Sequence, residues 1–504
     1  PSCPAGLAGP APGASFLSGD FAPVPNPSSS RAFWLGGAAL LGVLAIAAPA
    51  SAQSAATLRG ELNALQNRLQ ALEAAQARSA ADAARAQAEQ EQIRSRLAAQ
   101  PSLAGSFPRS VKIPGTETSV RLYGFARLTG SYDLEGRNRS DVQSANSVPL
   151  TRGAAARQGG DFQFGARRSR IGVETRTDTA HGVARSVLEM DFAGSQSTAS
   201  TSSQGNWIPR LRHAYVEFAG FTLGQTTSLF GDTANAEFLD SYTYLGMTGF
   251  RQAQLRYTAA LGDGFSLAAS LENPVSDFTS DAGSRVPDSD GSTPAVAINR
   301  MPDLVLRLMN AGSWGNVALQ GLVRRIDYTN KAPVDAAQRF DGEQWGYGLA
   351  LGGSVTTAGK SRAFGRVAYG EGIGRYLEVI GSGATTNAGL SGVTARSASL
   401  DLVKTSTIVL GYQQWWTDTV RSTVAGAFAR NSFSSYARDF SASTQNQLNR
   451  TTNQFVANLV WSPIPDLDVG VEYDYAERGL LGRSTEGARR GVGQRLLTTA
   501  TYRF

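Results

Sequence analysis

The sequence predicts an all-β transmembrane barrel of about 16 antiparallel strands behind an N-terminal α-helical coiled coil. Three observations predict it. From Ser119 onward, segments of about ten residues alternate in polarity and are divided by turn residues. The connections between them alternate long and short. Upstream, apolar residues recur at alternating spacings of four and three, the 3.5-residue seam of paired helices.

Composition narrows the function. The 504 residues carry Lys+Arg 47 against Asp+Glu 41, a net charge of +6 that is too weak for a dedicated nucleic-acid binder. A charged fraction of only 17% beside 55 glycines favours strands and turns over a helical cytosolic enzyme. The single cysteine, Cys3, excludes a disulfide framework, a cysteine zinc site and an iron–sulfur cluster, and two histidines, His181 and His213, exclude a multi-histidine metal site. Neither metal nor cofactor is expected.

Taken in order, residues 1–30 are rich in Pro, Gly and Ser and read as a disordered or misannotated leader. Residues 31–52 read as a signal peptide: Arg31, an apolar run from Phe33 to Ala48, then Pro49 and the small-x-small Ala50-Ser51-Ala52. That run is shorter than the roughly 20 residues a spanning helix needs. Residues 53–100 carry the seam Leu58, Leu62, Leu65, Leu69, Leu72, continued in frame through Gln76, Ser79, Ala83, Ala86, Gln90, Ile93 and Leu97, with Pro101 as the stop. A narrow seam with few aromatics fits a partner helix better than a membrane surface. Residues 101–118 form a linker, and 119–504 the barrel.

Within the barrel the last segment is the clearest. Leu496, Thr498, Ala500, Tyr502 and Phe504 share one parity; Arg495, Thr499, Thr501 and Arg503 share the other. Strands are expected to start near residues 119, 162, 182, 210, 220, 250, 264, 302, 314, 343, 360, 399, 418, 450, 466 and 492. The connections are long after odd-numbered strands and short after even-numbered ones, the rhythm of an up-and-down barrel with short periplasmic turns and long outer loops. Both chain ends of the barrel then lie on the periplasmic side. Closure satisfies every backbone group inside hydrocarbon, and about 16 strands leave an aqueous bore. Passage of hydrophilic solutes follows as the function class.

Four blocks resemble the DcaP-like trimeric porins of proteobacterial outer membranes. They are Ile113-Pro114-Gly115-Thr116-Glu117-Thr118-Ser119-Val120-Arg121-Leu122-Tyr123-Gly124-Phe125, Ala166-Arg167-Arg168-Ser169-Arg170-Ile171-Gly172-Val173-Glu174-Thr175, Pro209-Arg210-Leu211-Arg212-His213-Ala214-Tyr215, and the terminal Tyr502-Arg503-Phe504. The order of signal, heptad helix and barrel matches as well. The resemblance implies a homotrimer, a periplasmic coiled coil, and preference for small anionic solutes such as dicarboxylates and aromatic carboxylates.

Parity assigns candidate lumen residues. Where Ile171 and Val173 face lipid, Arg168, Arg170, Glu174 and Arg176 face inward; by the same rule Arg256, Arg307, Arg324 and Arg366 face inward. Strand four is ambiguous, because Ala214, Val216 and Phe218 share parity with Arg212. A lipid-facing arginine costs about 2–4 kcal/mol at the midplane, so Arg210 and Arg212 are assigned to the lumen, through a bulge or an interface position. A column of guanidiniums passes carboxylates along by bidentate hydrogen bonds. The alternative is that these arginines pair with Glu174, Glu189, Asp191 and Glu217 and only balance charge.

The third long connection carries Asp232, Glu237, Asp240, Tyr242 and Tyr244 and is a candidate constriction loop, a plain external loop being the other reading. Tyr502 and Phe504 are candidate assembly signals for the barrel assembly machinery. Outer-membrane lipid and lipopolysaccharide are the expected surroundings, with peptidoglycan a candidate contact of the coiled coil. Two readings from other classes are weaker. A hydrolase needs a nucleophile and base in mutual reach, which neither histidine supplies convincingly; a general non-selective porin, or a structural or adhesive protein tethered through the coiled coil, remains the alternative to a selective channel.

Overall fold

The computed structural model describes residues 55–99, 103–137, 145–194, 208–231, 233, 237–239, 251–280, 296–329, 341–377, 388–391, 399–434, 437 and 448–504. Two units emerge, Pro1–Ala99 and Gln100–Phe504. The expected leader and signal lie outside the described residues.

The first unit contains one helix, α1, Ala55–Ala99. Ala, Gln, Glu, Leu and Arg carry it, all good helix formers. Its seam side chains stand uncovered in the single chain, Leu62, Leu65, Leu69 and Leu72 each being more than half exposed.

The second unit is a closed antiparallel barrel of 16 strands. In chain order they are β1 Thr118–Glu135, β2 in two pieces Asp161–Gly165 and Arg170–Thr179, β3 Gly182–Asp191, β4 Arg210–Phe218, β5 Phe221–Thr227, β6 Arg251–Gly262, β7 Phe265–Glu272 and β8 Asp303–Gly312. The second half is β9 Gly315–Thr329, β10 Asp341–Ala358, β11 Ser361–Glu371, β12 Lys404–Trp415, β13 Val420–Ser432, β14 Asn449–Ile464, β15 Leu467–Leu480 and β16 Arg490–Arg503. Each strand pairs with its predecessor, and the last pairs with the first from Phe125↔Arg503 to Glu135↔Gln494. That final ladder removes the open edge that hydrocarbon would not tolerate.

The strand starts read from the sequence agree with these bounds to within a few residues, with two differences. The second strand is broken by a turn at Ala166–Ser169, both pieces pairing with β1. The twelfth begins at Lys404, because residues Ser399–Leu402 instead pair with Ala388–Ser391 in a separate small sheet.

Side chains alternate as the period of two requires. Along β8, Leu304, Leu306 and Leu308 are exposed while Asp303 and Val305 are buried. The exposed set matches a lipid-facing band, and the buried set points into the bore. Short turns join the strands at one end. Ala219 (φ 50°) and Gly220 (φ 86°) both adopt left-handed backbone between β4 and β5, the type I′ geometry whose twist matches a hairpin.

The bore has an apolar core of its own. Leu229, Phe230, Ile373, Tyr376 and Leu377, all from long connections, pack with the inward Val305, Leu322, Ala350 and Ala368. The connection after β11 was expected to be an external loop. Its described start, Ile373–Leu377, instead turns inward, because Phe230 and Tyr376 meet edge-to-face at 6.0 Å and bury what would otherwise be wet hydrocarbon. The connection after β1 likewise sends Ala145 and Val148 inward, both fully buried.

Candidate functional site

The wall formed by β1 to β4 carries two groups of inward guanidiniums and carboxylates. Nearer the short-turn end, Glu174 accepts from Arg121 at 2.5 Å, Arg176 at 2.8 Å and Arg185 at 2.8 Å, and Arg185 also bonds Glu217 at 2.6 Å. Three cations thus surround two anions. Nearer the long-loop end, Arg210 grips Asp191 with two parallel bonds of 2.9 and 2.6 Å. Arg212 bridges Glu189 and Asp191 at 2.9 Å each, and Arg170 reaches Glu189 at 3.2 Å. From Glu174 to Arg170 the backbone climbs about 13 Å at the usual rise per residue.

Arg210 and Arg212 share the inward face because of a bulge. Glu189 pairs with His213 but Met190 pairs with Leu211, so β4 holds one extra residue there. Below the bulge Tyr215 and Glu217 point inward with Val216 and Phe218 out; above it Leu211 points out between the two arginines. The parity conflict in the sequence marked this bulge. His213 sits within it, its Nδ1 3.0 Å from Thr226 Oγ1.

Arg256 on β6 and Arg307 on β8 differ from the ladder. Arg256 donates to Gln254 Oε1 and to the Thr227 carbonyl, both neutral, and among the described residues Arg307 makes no hydrogen bond or ion pair. Each is in electrostatic reach of Glu272. These two guanidiniums retain donors that no acid among the described residues takes up.

Three of the candidate arginines need correction. Arg168 lies in the turn that breaks β2, not on a strand face. Arg324 and Arg366 point inward but are sealed, 1% and 2% exposed. Arg324 donates to the Gly372 and Val275 carbonyls and lies 3.4 Å from Asp303; Arg366 donates to the Phe230 carbonyl at 2.7 Å. Their charge holds the inward loops, since backbone carbonyls turned into a barrel need donors.

The third long connection follows the far inner wall. Leu229 N–H donates to Glu272; Gln320 donates to the Leu229 and Gly231 carbonyls; Glu237 takes Arg421 at 2.5 and 2.6 Å and Gln413 at 3.0 Å. Beyond it Leu239 N–H donates to Glu472, and Phe238 meets Phe364 edge-to-face. The described parts therefore touch strands from β7 round to β15 and reach β1, where Arg127 donates to the Leu239 carbonyl. Asp232, Asp240, Tyr242 and Tyr244 lie outside the described residues. Arg421 and Tyr376 were missed from the sequence, since nothing local distinguishes a wall residue that meets a loop from one that meets water, and Gln320 was read as inward without its loop partners. Arg121 and Arg185 were legible by parity with Leu122 and Leu188.

At the C-terminus, Tyr502 and Phe504 are exposed on the outer face, and Phe504 exchanges two backbone bonds with Gly124.

A closed barrel of this strand number, with charged inner walls and loops folded within, defines a porin-class transmembrane β-barrel. The model of the Porin subfamily matches residues 112–491, and the chain belongs to that family. Porin Omp2b of Brucella suis is 28% identical over 234 residues, 41% of this chain and 52% of that protein. Porin Omp2b of Brucella abortus (strain 2308) is 27% identical over 217 residues, 41% of this chain and 51% of that protein. The chain spans about half the length of these curated relatives. Among solved structures, the outer membrane channel DcaP of Acinetobacter baumannii superposes with a TM-score of 0.63 at 22% identity, covering 80% of this chain and 100% of that one, and shares the fold.

Proposed function

We propose that this chain is an outer-membrane porin through whose lumen small hydrophilic solutes diffuse, anionic ones such as dicarboxylates or aromatic carboxylates preferentially. The observation that carries the preference is the Arg256 and Arg307 pair, which among the described residues bonds no acid while its neighbours do. A carboxylate shedding part of its hydration finds planar donors there, and a cation finds none. On this reading the chain works as a channel and not as an enzyme.

One observation favours a second reading, a general pore. Arg170, Arg210 and Arg212 are already paired with Glu189 and Asp191, and Arg121, Arg176 and Arg185 with Glu174, so most of the ladder's charge is balanced internally. The reversal potential of single channels in a planar bilayer under a KCl gradient separates the two. A value displaced toward the chloride equilibrium potential supports anion preference; a value near zero supports the general pore.

The uncovered α1 seam supports self-association of the N-terminal helix in the periplasm, as a coiled coil that gathers three copies. Within that arrangement the leucine-rich outer band meets outer-membrane lipid and lipopolysaccharide, the terminal strand with Tyr502 and Phe504 is presented to the barrel assembly machinery, and the helix lies within reach of peptidoglycan.

A further inference from the structure

Ahead of β1 the chain makes a compact strap, Leu103–Ile113. Its return limb pairs with the start of β1 at Val111↔Val120 and Lys112↔Ser119, and Lys112 N–H also bonds the Leu103 carbonyl at 2.9 Å. The strap bends over the short-turn mouth. Ser106 N–H donates to Ser119 Oγ, an inward hydroxyl that is 1% exposed, at 2.9 Å. The next residue, Phe107, is 6% exposed, an apolar ring sealed among charged groups.

What seals it is a pair of lumen cations. The Arg176 guanidinium lies 4.4 Å from the Phe107 ring centroid and that of Arg121 lies 5.5 Å from it. Both arginines also bond Glu174, so each lies between a carboxylate and the ring, and Arg121 lies 5.4 Å from the Tyr123 ring as well. Cation–π contact of this kind strengthens as water is excluded. At its tip the strap is tied across the rim, Arg109 Nη2 lying 2.7 Å from Asp466 Oδ2 in the turn between β14 and β15. Arg109 holds φ 61°, a left-handed conformation that is strained for a non-glycine residue, and the ion pair is the contact that this conformation serves.

We propose that Phe107 is the selectivity-determining residue of the short-turn mouth: its ring, carried on the strap, narrows the exit and covers part of the Arg121 and Arg176 guanidiniums, which stay 29% and 38% exposed, so that two cations of the ladder are partly withheld from passing anions. The inference rests on the reading of the bore as a conducting pore. It makes the anion preference of the mouth a property of an aromatic residue outside the barrel strands.

The test is single-channel recording of the full chain in planar bilayers at 0.1 M and 1 M KCl, wild type beside Phe107→Ala, Phe107→Tyr and Arg109→Gly. Phe107→Ala is expected to raise conductance at both salts and to shift the reversal potential toward chloride at low salt, the shift fading at 1 M as the exposed guanidiniums are screened. Phe107→Tyr keeps the ring and should match wild type. Arg109→Gly relaxes the left-handed residue and removes only the tether, so it should give frequent transitions between the two conductance levels; it also carries the test if Phe107→Ala does not fold to a heat-modifiable barrel. Wild-type conductance and selectivity in both Phe107→Ala and Arg109→Gly would overturn the proposal while leaving the porin reading intact. A wild type that passes no current would overturn both.

Discussion

Arg495 Nε lies 2.7 Å from Asp133 Oδ1 across the seam where the last strand meets the first, both side chains being almost wholly buried. The pair sits beside the register shift at Asp133/Glu135, so it fastens the closure where the ladder is irregular. Removing one partner of a buried pair leaves the other charge unpaired and costs about 3–5 kcal/mol. Arg495→Ala or Asp133→Ala should therefore lower the temperature at which the folded barrel band is lost in heat-modifiability gels, and replacing both should recover part of the loss. Equal loss in single and double variants would show that the two do not act on each other.

The loop contacts predict a change in bore. Glu237 binds Arg421 near the short-turn end of β13, so the third connection reaches deep into the barrel. Deleting residues 234–244 should raise single-channel conductance, and Glu237→Gln should do so less, with more current noise. Unchanged conductance on deletion would mean that the loop leaves the narrowest section untouched.

Selectivity should divide between two classes of arginine. Arg256→Gln and Arg307→Gln remove donors that no acid among the described residues occupies, so the reversal potential should move toward potassium with little change in thermal stability. Arg212→Gln removes one of the two arginines on each of Glu189 and Asp191, so it should shift selectivity less and also destabilise the barrel. Measuring permeability ratio and melting temperature for the three variants orders them; the same ratio in all three would mean that the ladder and the unpaired arginines contribute alike.

Within the bore, Phe230→Ala should empty a fully buried position shared by two inward loops. Such truncations cost about 3–5 kcal/mol in packed cores. Here the loss should appear as loop mobility, read as faster protease cleavage within residues 228–249 and 372–398 of the detergent-solubilised protein, with the strand ladders kept. Cleavage at the wild-type rate would mean that the ring is not what seats the loops.

For α1, Leu65→Asp with Leu69→Asp places two charges on the uncovered seam. Native mass spectrometry should then show a lower oligomer than wild type, with the barrel's gel signature unchanged. An unchanged oligomer would leave the seam without a role in assembly.

The barrel was legible in the sequence because its physics is local. Leu304, Leu306 and Leu308 read as an outer face from five residues of text, and Ala219-Gly220 reads as a hairpin turn from two. Even the β4 bulge left a mark, as arginines and aliphatics in conflicting parity around His213. The contents of the bore were not legible. Phe230 and Tyr376 are 146 residues apart and neither has a neighbour that betrays an inward course; their meeting depends on the curvature of the whole sheet. For the same reason Arg324 and Arg366 looked equivalent to Arg256 and Arg307. Parity states which way a side chain points and says nothing about whether a loop or water waits there.

The apolar core within the bore has an electrical consequence. Phe230, Ile373 and Leu377 lie on the side of β9 to β11, and in a ring of 16 strands β11 stands eight places from β3, which carries Arg185, Glu189 and Asp191. Hydrocarbon polarises poorly, so field lines from the charged wall are turned back at that surface and crowded into the remaining water. A solute therefore feels each guanidinium more strongly than it would in a water-filled cylinder of equal width, and filling the bore with carbon amplifies the charges left facing it.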